Sequence, residues 1–365
     1  MQHRRFLPFR SLWLILILGL SMIFSLVGCS DTETKVKEIE PVAETTFLMG
    51  TVAKITIYDE IKDKEIFQRI FDRIMDIERR MTINDEYPES EIIRLNQAAG
   101  KESIKLSSDT FFVLERAKYF SEISQGKFDI TVGPIVKLWN IGFPNAKVPG
   151  KDEITKTLPL VDHHELILDK ENLTAKLNQP GMKVDLGAIA KGYAADEATK
   201  ILKEAGIQHA IVNLGGNVVV INTKLDGSLW RLGLQDPYKP RGDSMGVVLL
   251  NDQTLVSSGT YERYLEENGK IYHHLLDPDT GYPGDNGLIS VSIITKESVN
   301  ADGLSTGSFL LGLDKGMKLI EELPDTEAIF ITADKKVYVT SGVNESNFEI
   351  TEPAYILQPK INAGK

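Results

Sequence analysis

Lys183–Val220, KVDLGAIAKGYAADEATKILKEAGIQHAIVNLGGNVVV, admits few folds. Lys183–Leu186 alternates as a short strand does, and Gly187 permits a backbone that a Cβ would hinder. From Ala188 onward the alanines, Ile189, Tyr193, Ile201 and Leu202 recur at helical spacing, and Gly206 stops the helix. Ile211, Val212 and Leu214 then read as a buried strand that turns at Gly215–Gly216. A strand–helix–strand unit of this kind sets the helix N-terminus beside the end of its strand. There the unpaired N–H groups and the helix dipole, roughly half a positive charge, favour an anion. Lys191 adds a full charge in the first turn, and Asp185 stands just before it. The segment reads equally well as a plain crossover unit with a surface lysine.

The N-terminus reads as a targeting segment. Arg4, Arg5 and Arg10 form a basic region, and Leu12–Val27 is an apolar run closing on Leu26-Val27-Gly28-Cys29. A transmembrane anchor and a cleaved signal peptide compete with a lipoprotein leader. The chain's sole cysteine falls where a bacterial lipobox needs it, so residues 1–29 are expected to be a lipoprotein signal peptide ending at a lipidated Cys29. Two or more acyl chains there would anchor the protein stably, on the extracytoplasmic face of the cell membrane. With no second cysteine, no intrachain disulfide can form. Ser30–Thr45 is charged and aperiodic, and is expected to be a flexible tether. The net charge of −11, with no basic stripe, argues against nucleic acid as a partner.

Length alone suggests two domains, but no linker interrupts residues 46–340. The expected architecture is α+β: mixed sheets with strand–helix–strand units in a single catalytic domain over 46–345, followed by a loose tail over 346–365. Lys64–Met81 carries Ile66, Phe67, Ile70, Ile74 and Ile77 on one face and predicts an amphipathic helix. Further helices are expected at Glu89–Ala98 and after a Ser107 or Ser108 cap. Pro144–Thr157 reads as a polar loop, and Leu288–Thr295 as an alternating strand.

Several residues are chemically suggestive by themselves. Asp129, flanked by Phe128, Ile130 and Val132, needs a partner if buried, either a structural N–H or a ligand. His163-His164 has the look of a metal pair but lacks a nearby Cys, Asp or Glu at ligand spacing, and is read as surface or strand-edge histidines. His273 and His274 face opposite ways if extended, so only one can serve a given site. Asp277-Pro278-Asp279-Thr280-Gly281 is strong turn chemistry. If Ala301–Gly312 is helical, Asp302 and Thr306 stand one turn apart, offering two hard oxygens to Mg²⁺ or, more plainly, a capping pair.

These motifs occur in a telling order: Met49-Gly50-Thr51, Gly126-x-Phe128-Asp129-Ile130-Thr131-Val132-Gly133-Pro134, Asp185-Leu186-Gly187-x-Ile189-Ala190-Lys191-Gly192-Tyr193 and Asn213-Leu214-Gly215-Gly216-Asn217. Ser258-Gly259, His274-x-x-Asp277-Pro278-x-Thr280-Gly281 and Ala301-Asp302-Gly303-Leu304-x-Thr306 follow. Over roughly residues 46–340 the chain closely resembles the FAD:protein FMN transferase family of flavin-transferase lipoproteins.

The resemblance implies Mg²⁺-dependent transfer of FMN from FAD to a threonine hydroxyl of an acceptor flavoprotein, with release of AMP. It implies metal ligation by Asp302, Thr306 and the backbone carbonyl of Ala188. FAD contacts carry over to Met49, Asn84, Lys127, Phe128, Asp129, Asp185, Lys191 and Leu276. His274 takes the role of general base on the acceptor hydroxyl, to which an imidazole is suited. There are two departures from the family pattern. The loop Thr82–Ser90 is longer than the family's link, with Asn84 where an aromatic residue often stands, and Thr260 replaces a usual Asp. An FAD pyrophosphatase yielding FMN and AMP at the same site, and a non-catalytic lipid-anchored flavin-binding protein, are the competing readings.

Overall fold

The computed structural model describes residues 40–84 and 86–360. The expectations for the leader, Cys29 and the first part of the tether fall on residues outside that range. Among the described residues no helix is long and apolar enough to cross a membrane.

The chain opens with a hairpin of β1 (Val42–Leu48) and β2 (Thr51–Ile57), paired antiparallel over its whole length. Its turn, Met49-Gly50, has positive φ at both residues, 52° and 67°, which suits the right-handed twist of the strands. Strand β1 therefore includes residues 42–45 of the stretch expected to be tether.

Helices α1 (Ile66–Met81) and α2 (Glu91–Gln97), strand β3 (Ile104–Lys105) and helix α3 (Ser108–Ile123) come next. In α1 the predicted stripe is buried: Ile66, Phe67, Ile70, Ile74, Ile77 and Met81. Ser90 caps α2 by accepting Ile93 N–H, and Ser107 caps α3 by accepting Thr110 N–H. Two short helices follow, α4 (Gly133–Trp139) and α5 (Lys151–Thr157). The second lies where a polar loop was expected. Glu153 Oε2 accepts Gly150 N–H at 2.8 Å to close its first turn, and Ile154 docks it on Ile135, Trp139 and Leu276.

Strands β4 (Leu166–Asp169) and β5 (Thr174–Leu177) form a small sheet with β3. Then come α6 (Ala190–Glu204), β6 (Ala210–Leu214), β7 (Asn217–Ile221), β8 (Trp230–Gln235), β9 (Ser244–Leu250) and β10 (Thr254–Gly259). A hairpin of β11 (Tyr264–Glu267) and β12 (Lys270–His273) leads to β13 (Leu288–Thr295). The chain closes with α7 (Ser298–Leu311), α8 (Leu313–Glu321), β14 (Glu327–Thr332), β15 (Lys336–Val339), β16 (Phe348–Ile350) and β17 (Ile356–Leu357).

The architecture is α+β, as expected. A nine-stranded sheet runs β1-β2-β6-β7-β10-β13-β14-β15-β17, and only β15 and β17 pair parallel. Its strand–helix–strand unit β13–α7–α8–β14 joins antiparallel neighbours. Helices α1, α6, α7 and α8 cover one face; the three-stranded sheet β16-β9-β8 covers the other. Side chains alternate between the two cores: Val219 and Ile221 face the helices, whereas Val220 packs with Trp230 and Leu250.

Three expectations need correction here. Lys183–Leu186 is not a strand; one parallel bridge joins Lys183 to Val132. Val184 and Leu186 are buried as the alternation demands, but the side-chain amide of Asn96 replaces the missing neighbour strand. Its Oδ1 accepts Val184 N–H at 2.7 Å and its Nδ2 donates to Val184 O at 2.9 Å. The chain after 345 is not loose as far as it is described. β16 pairs with β9, β17 with β15, and buried Tyr355 donates to Asp236 Oδ1 at 2.6 Å. His163, expected at the surface, is buried against Asp129.

Candidate active site

The site forms where α6 crosses α7. Gly192 makes that crossing close, because a Cβ there would collide with the carbonyl oxygen of Ser298. The bare backbone lets Gly192 N–H donate to Asp302 Oδ2 at 2.9 Å. One turn further along α6, Asp196 caps α7, accepting Ser298 N–H at 2.7 Å and Val299 N–H at 2.8 Å. Burial outweighs those bonds and pushes the Asp196 carboxyl up to about 7.

Asp302 is only 4% exposed. Its Oδ1 accepts no hydrogen bond from the described residues and lies 3.6 Å from Lys191 Nζ, which itself donates to Gly187 O at 3.1 Å. Asp185 accepts Gly187 N–H at 2.8 Å and donates its own N–H to Ile130 O at 2.8 Å. Desolvation raises its carboxyl, against the pull of Gly187 N–H and the positive charges of Lys137, Arg263 and Lys191.

Thr306 stands one turn beyond Asp302, its hydroxyl 3.2 Å from Ser258 Oγ on β10, and Ser258 also bonds Ser305 at 2.8 Å. Asp302 Oδ1 facing Lys191, the Thr306 hydroxyl on the same helical face and the Gly187 carbonyl that Lys191 also contacts form a set of hard oxygens. That donor chemistry fits Mg²⁺, which prefers oxygen ligands and keeps several waters.

His273 and His274 do face opposite ways. His273 is buried edge-on to Phe309, with Nε2 2.9 Å from Gly284 O. His274 Nδ1 lies 3.1 Å from Arg263 O and donates to it, since a carbonyl can only accept. The neutral ring then carries its lone pair on Nε2. Burial above all pushes its pKa down, to about 3, and the charges of Arg263, His273 and Lys191 act in the same direction. His274 is therefore a neutral base at physiological pH.

Met49 sits in the β1–β2 turn, beside the turn of the next hairpin. Gly215 has φ +62°, and a Cβ there would collide with Thr51. Lys127 bonds Asp277 at 2.8 Å and Asp279 at 2.9 Å; burial lowers its pKa, but these bonds outweigh that and raise it. It thereby ties the Asp-Pro-x-Thr-Gly turn to the segment bearing Asp129. Asp129 is satisfied by protein groups: Thr131 N–H at 2.7 Å, Thr131 Oγ1 at 2.6 Å and His163 N–H at 2.9 Å. The rings of Phe128 and the side chain of Leu276 lie in separate cores, so those positions can meet a ligand only through backbone. Asn84 is exposed in a turn, and its neighbour Ile83 O accepts from Lys137 Nζ at 3.0 Å.

The residue that motif reading passed over is Arg263. Its backbone carbonyl orients His274, its side chain lies against Gly50 and Gly142, and its charge acts on Asp185. No carboxylate among the described residues lies within ion-pair distance of its guanidinium. Its signal was the unassigned Glu262-Arg263-Tyr264 directly after Ser258-Gly259. The positive charges of Lys137, Lys191 and Arg263 all act on the Asp185 carboxyl, and Lys191 also reaches Asp302, so three cations gather about two carboxylates.

The ApbE family's sequence model matches residues 49–330, spanning every one of these groups. The chain belongs to the ApbE family. An ApbE-family relative from Klebsiella pneumoniae (strain 342), described as an FAD:protein FMN transferase, is 38% identical over 294 residues, 80% of this chain and 90% of its own. One of the same description from Treponema pallidum (strain Nichols) is 33% identical over 333 residues, 87% of this chain and 91% of its own. The crystal structure of the ApbE protein from Thermotoga maritima superposes with a TM-score of 0.76 at 29% identity, covering 83% of this chain and 97% of that one. The flavin transferase ApbE from Vibrio cholerae gives a TM-score of 0.74 at 29% identity, with the same coverage.

Proposed function

We propose that the protein transfers FMN from FAD to a threonine hydroxyl of an acceptor flavoprotein and releases AMP. The single observation that carries the mechanism is the His274 geometry: Nδ1 lies 3.1 Å from Arg263 O, which leaves Nε2 as the nitrogen with the lone pair. The acceptor hydroxyl attacks the FMN-side phosphorus of the FAD pyrophosphate. Its proton passes to His274 Nε2, the new P–O bond forms, and the bridging P–O bond breaks so that AMP leaves with the bridging oxygen. Lys191 and Arg263 hold the pyrophosphate and offset its charge, which is most of what phosphoryl transfer asks of a protein.

Asp302, Thr306 and the Ala188 carbonyl would hold Mg²⁺, which supplies charge neutralisation at the reacting phosphates. Asp302 Oδ1, which takes no hydrogen bond from the described residues and faces Lys191 Nζ at 3.6 Å, supports that assignment. The cysteine at the lipobox position supports lipid anchorage through Cys29, at the extracytoplasmic face of the membrane.

The test is to incubate the protein with FAD, Mg²⁺ and a flavoprotein carrying the acceptor threonine. AMP release matched by labelled acceptor, heavier by one FMN less water, is the expected result. AMP with free FMN and unlabelled acceptor would make it an FAD pyrophosphatase. FAD bound with no AMP would make it a flavin-binding protein.

A further inference from the structure

Against Asp129 lies a second cluster, formed by the short turn His163–Glu165 and the residue before it. Asp162 N–H donates to Thr131 Oγ1 at 2.8 Å, and Asp162 Oδ1 accepts His164 N–H at 2.9 Å. The imidazoles of His163 and His164 stack with centroids 4.1 Å apart, tilted by 36°. One ligand-capable atom from each of Asp162, His163 and His164 lies within 4.8 Å of the others.

We propose that Asp162, His163 and His164 form a binding site for a divalent first-row transition ion of the Zn²⁺ type, separate from the hard-oxygen site at Asp302 and Thr306. Two imidazoles and one carboxylate select such an ion over Mg²⁺. Three protein ligands leave a fourth position for water, as in open zinc sites.

The feature that distinguishes the cluster from a chance histidine pair is the carboxylate behind it. Asp129 Oδ2 lies 3.3 Å from His163 Nδ1 and also accepts His163 N–H at 2.9 Å. A carboxylate so placed holds the proton on Nδ1, leaves the lone pair on Nε2 and fixes the ring, the outer-shell arrangement typical of metal-bound histidines. His163 is the buried, immobile member; Asp162 is half-buried and His164 exposed, so both can adjust. Zinc–ligand bonds of about 2.1 Å set tetrahedral ligand atoms roughly 3.4 Å apart, so rotation of the outer two side chains by an ångström or so closes the shell. Because Asp129 also holds Thr131, an ion here stiffens the segment that leads from Lys127 to Ile130, whose carbonyl accepts Asp185 N–H.

The test uses the full-length protein, stripped with EDTA, kept in excess Mg²⁺ and titrated with Zn²⁺ by calorimetry, with Co²⁺ substitution read by visible absorption. One Zn²⁺ per chain is expected, with affinity falling at least about tenfold in His164→Ala and in Asp162→Asn. The second variant keeps the oxygen that accepts His164 N–H. His164 is exposed, so its variant folds even where His163→Ala does not. Affinity in His274→Ala should match the unaltered protein, and Co²⁺ bands should vanish in His164→Ala. Failure to bind Zn²⁺, or equal binding by His164→Ala and Asp162→Asn, would overturn the proposal.

Discussion

Asp302 accepts the backbone N–H of Gly192 at 2.9 Å, so an early turn of α7 is bonded to the first turn of α6. The positive end of α6 thus already has an anion, and it is a protein carboxylate. The other oxygen of that carboxylate faces Lys191 Nζ at 3.6 Å, so in the proposed mechanism Asp302 is both a strut and a metal ligand.

The two roles separate by substitution. Asp302→Asn keeps an oxygen for Gly192 N–H and should fold with nearly unchanged Tm, yet lose turnover by about 100-fold or more, since charge neutralisation at phosphate is worth several kcal/mol. Mg²⁺ titration of initial rates should show the loss. A variant that keeps normal Mg²⁺-dependent rates would exclude the ligand role.

His274→Ala should slow transfer by about 10²–10⁴-fold while leaving FAD affinity unchanged. The His274 value is pushed down to about 3, so the ring stays neutral across about pH 5 to 8 and kcat/KM should show no acidic limb from it there. A limb near the ordinary imidazole value of about 6.5 would contradict the partly buried, carbonyl-bonded geometry. For folding, a depressed native value means this contribution is whole above the unfolded pKa and drains as pH falls toward 3.

Arg263→Gln keeps the backbone carbonyl that orients His274 but removes the cation whose charge acts on Asp185. KM for FAD should rise about tenfold, the worth of one charge-assisted hydrogen bond, with the pH profile unmoved. An unchanged KM would place the guanidinium outside the substrate site.

Gly192→Ala introduces a Cβ against the Ser298 carbonyl and should cost about 1–3 kcal/mol, read as a lower Tm. Activity should fall further than stability does, because the same shift moves Asp302.

Asp196 predicts a stability slope of opposite sign to His274. Its native value, raised to about 7, means the folded state holds the proton more tightly than the unfolded state. Stability should therefore fall as pH rises from the ordinary carboxyl range of about 4 toward 7. Asp196→Asn should flatten that slope in denaturant titrations across this range; an unaltered slope would assign it to other groups.

Much of this was legible in residue order because local periodicity dictates it. Ile66 to Met81, Leu288–Thr295 and the Asp302–Thr306 spacing each declare an element within a few residues. The departures arise where a side chain does the work of a backbone. Nothing in Lys183–Leu186 announces that the Asn96 amide stands in for a strand, and nothing in His163 says that Asp129 buries it. The helix α5 was hidden because a single apolar residue, Ile154, docks it. Arg263 escaped because its role depends on two distant turns, at Gly50 and Gly142, that only tertiary packing brings to it.

The bond between Gly192 and Asp302 also has a bearing on timing. The groups it joins lie 110 residues apart, and α7 rests on β10 and β13, which must pair before the helix has a floor. A chain that ends or misfolds before that pairing has Lys191 and Asp185 but no Asp302, Thr306 or settled His274. On the proposed mechanism, reactivity toward a dinucleotide therefore requires the central strands to have closed first.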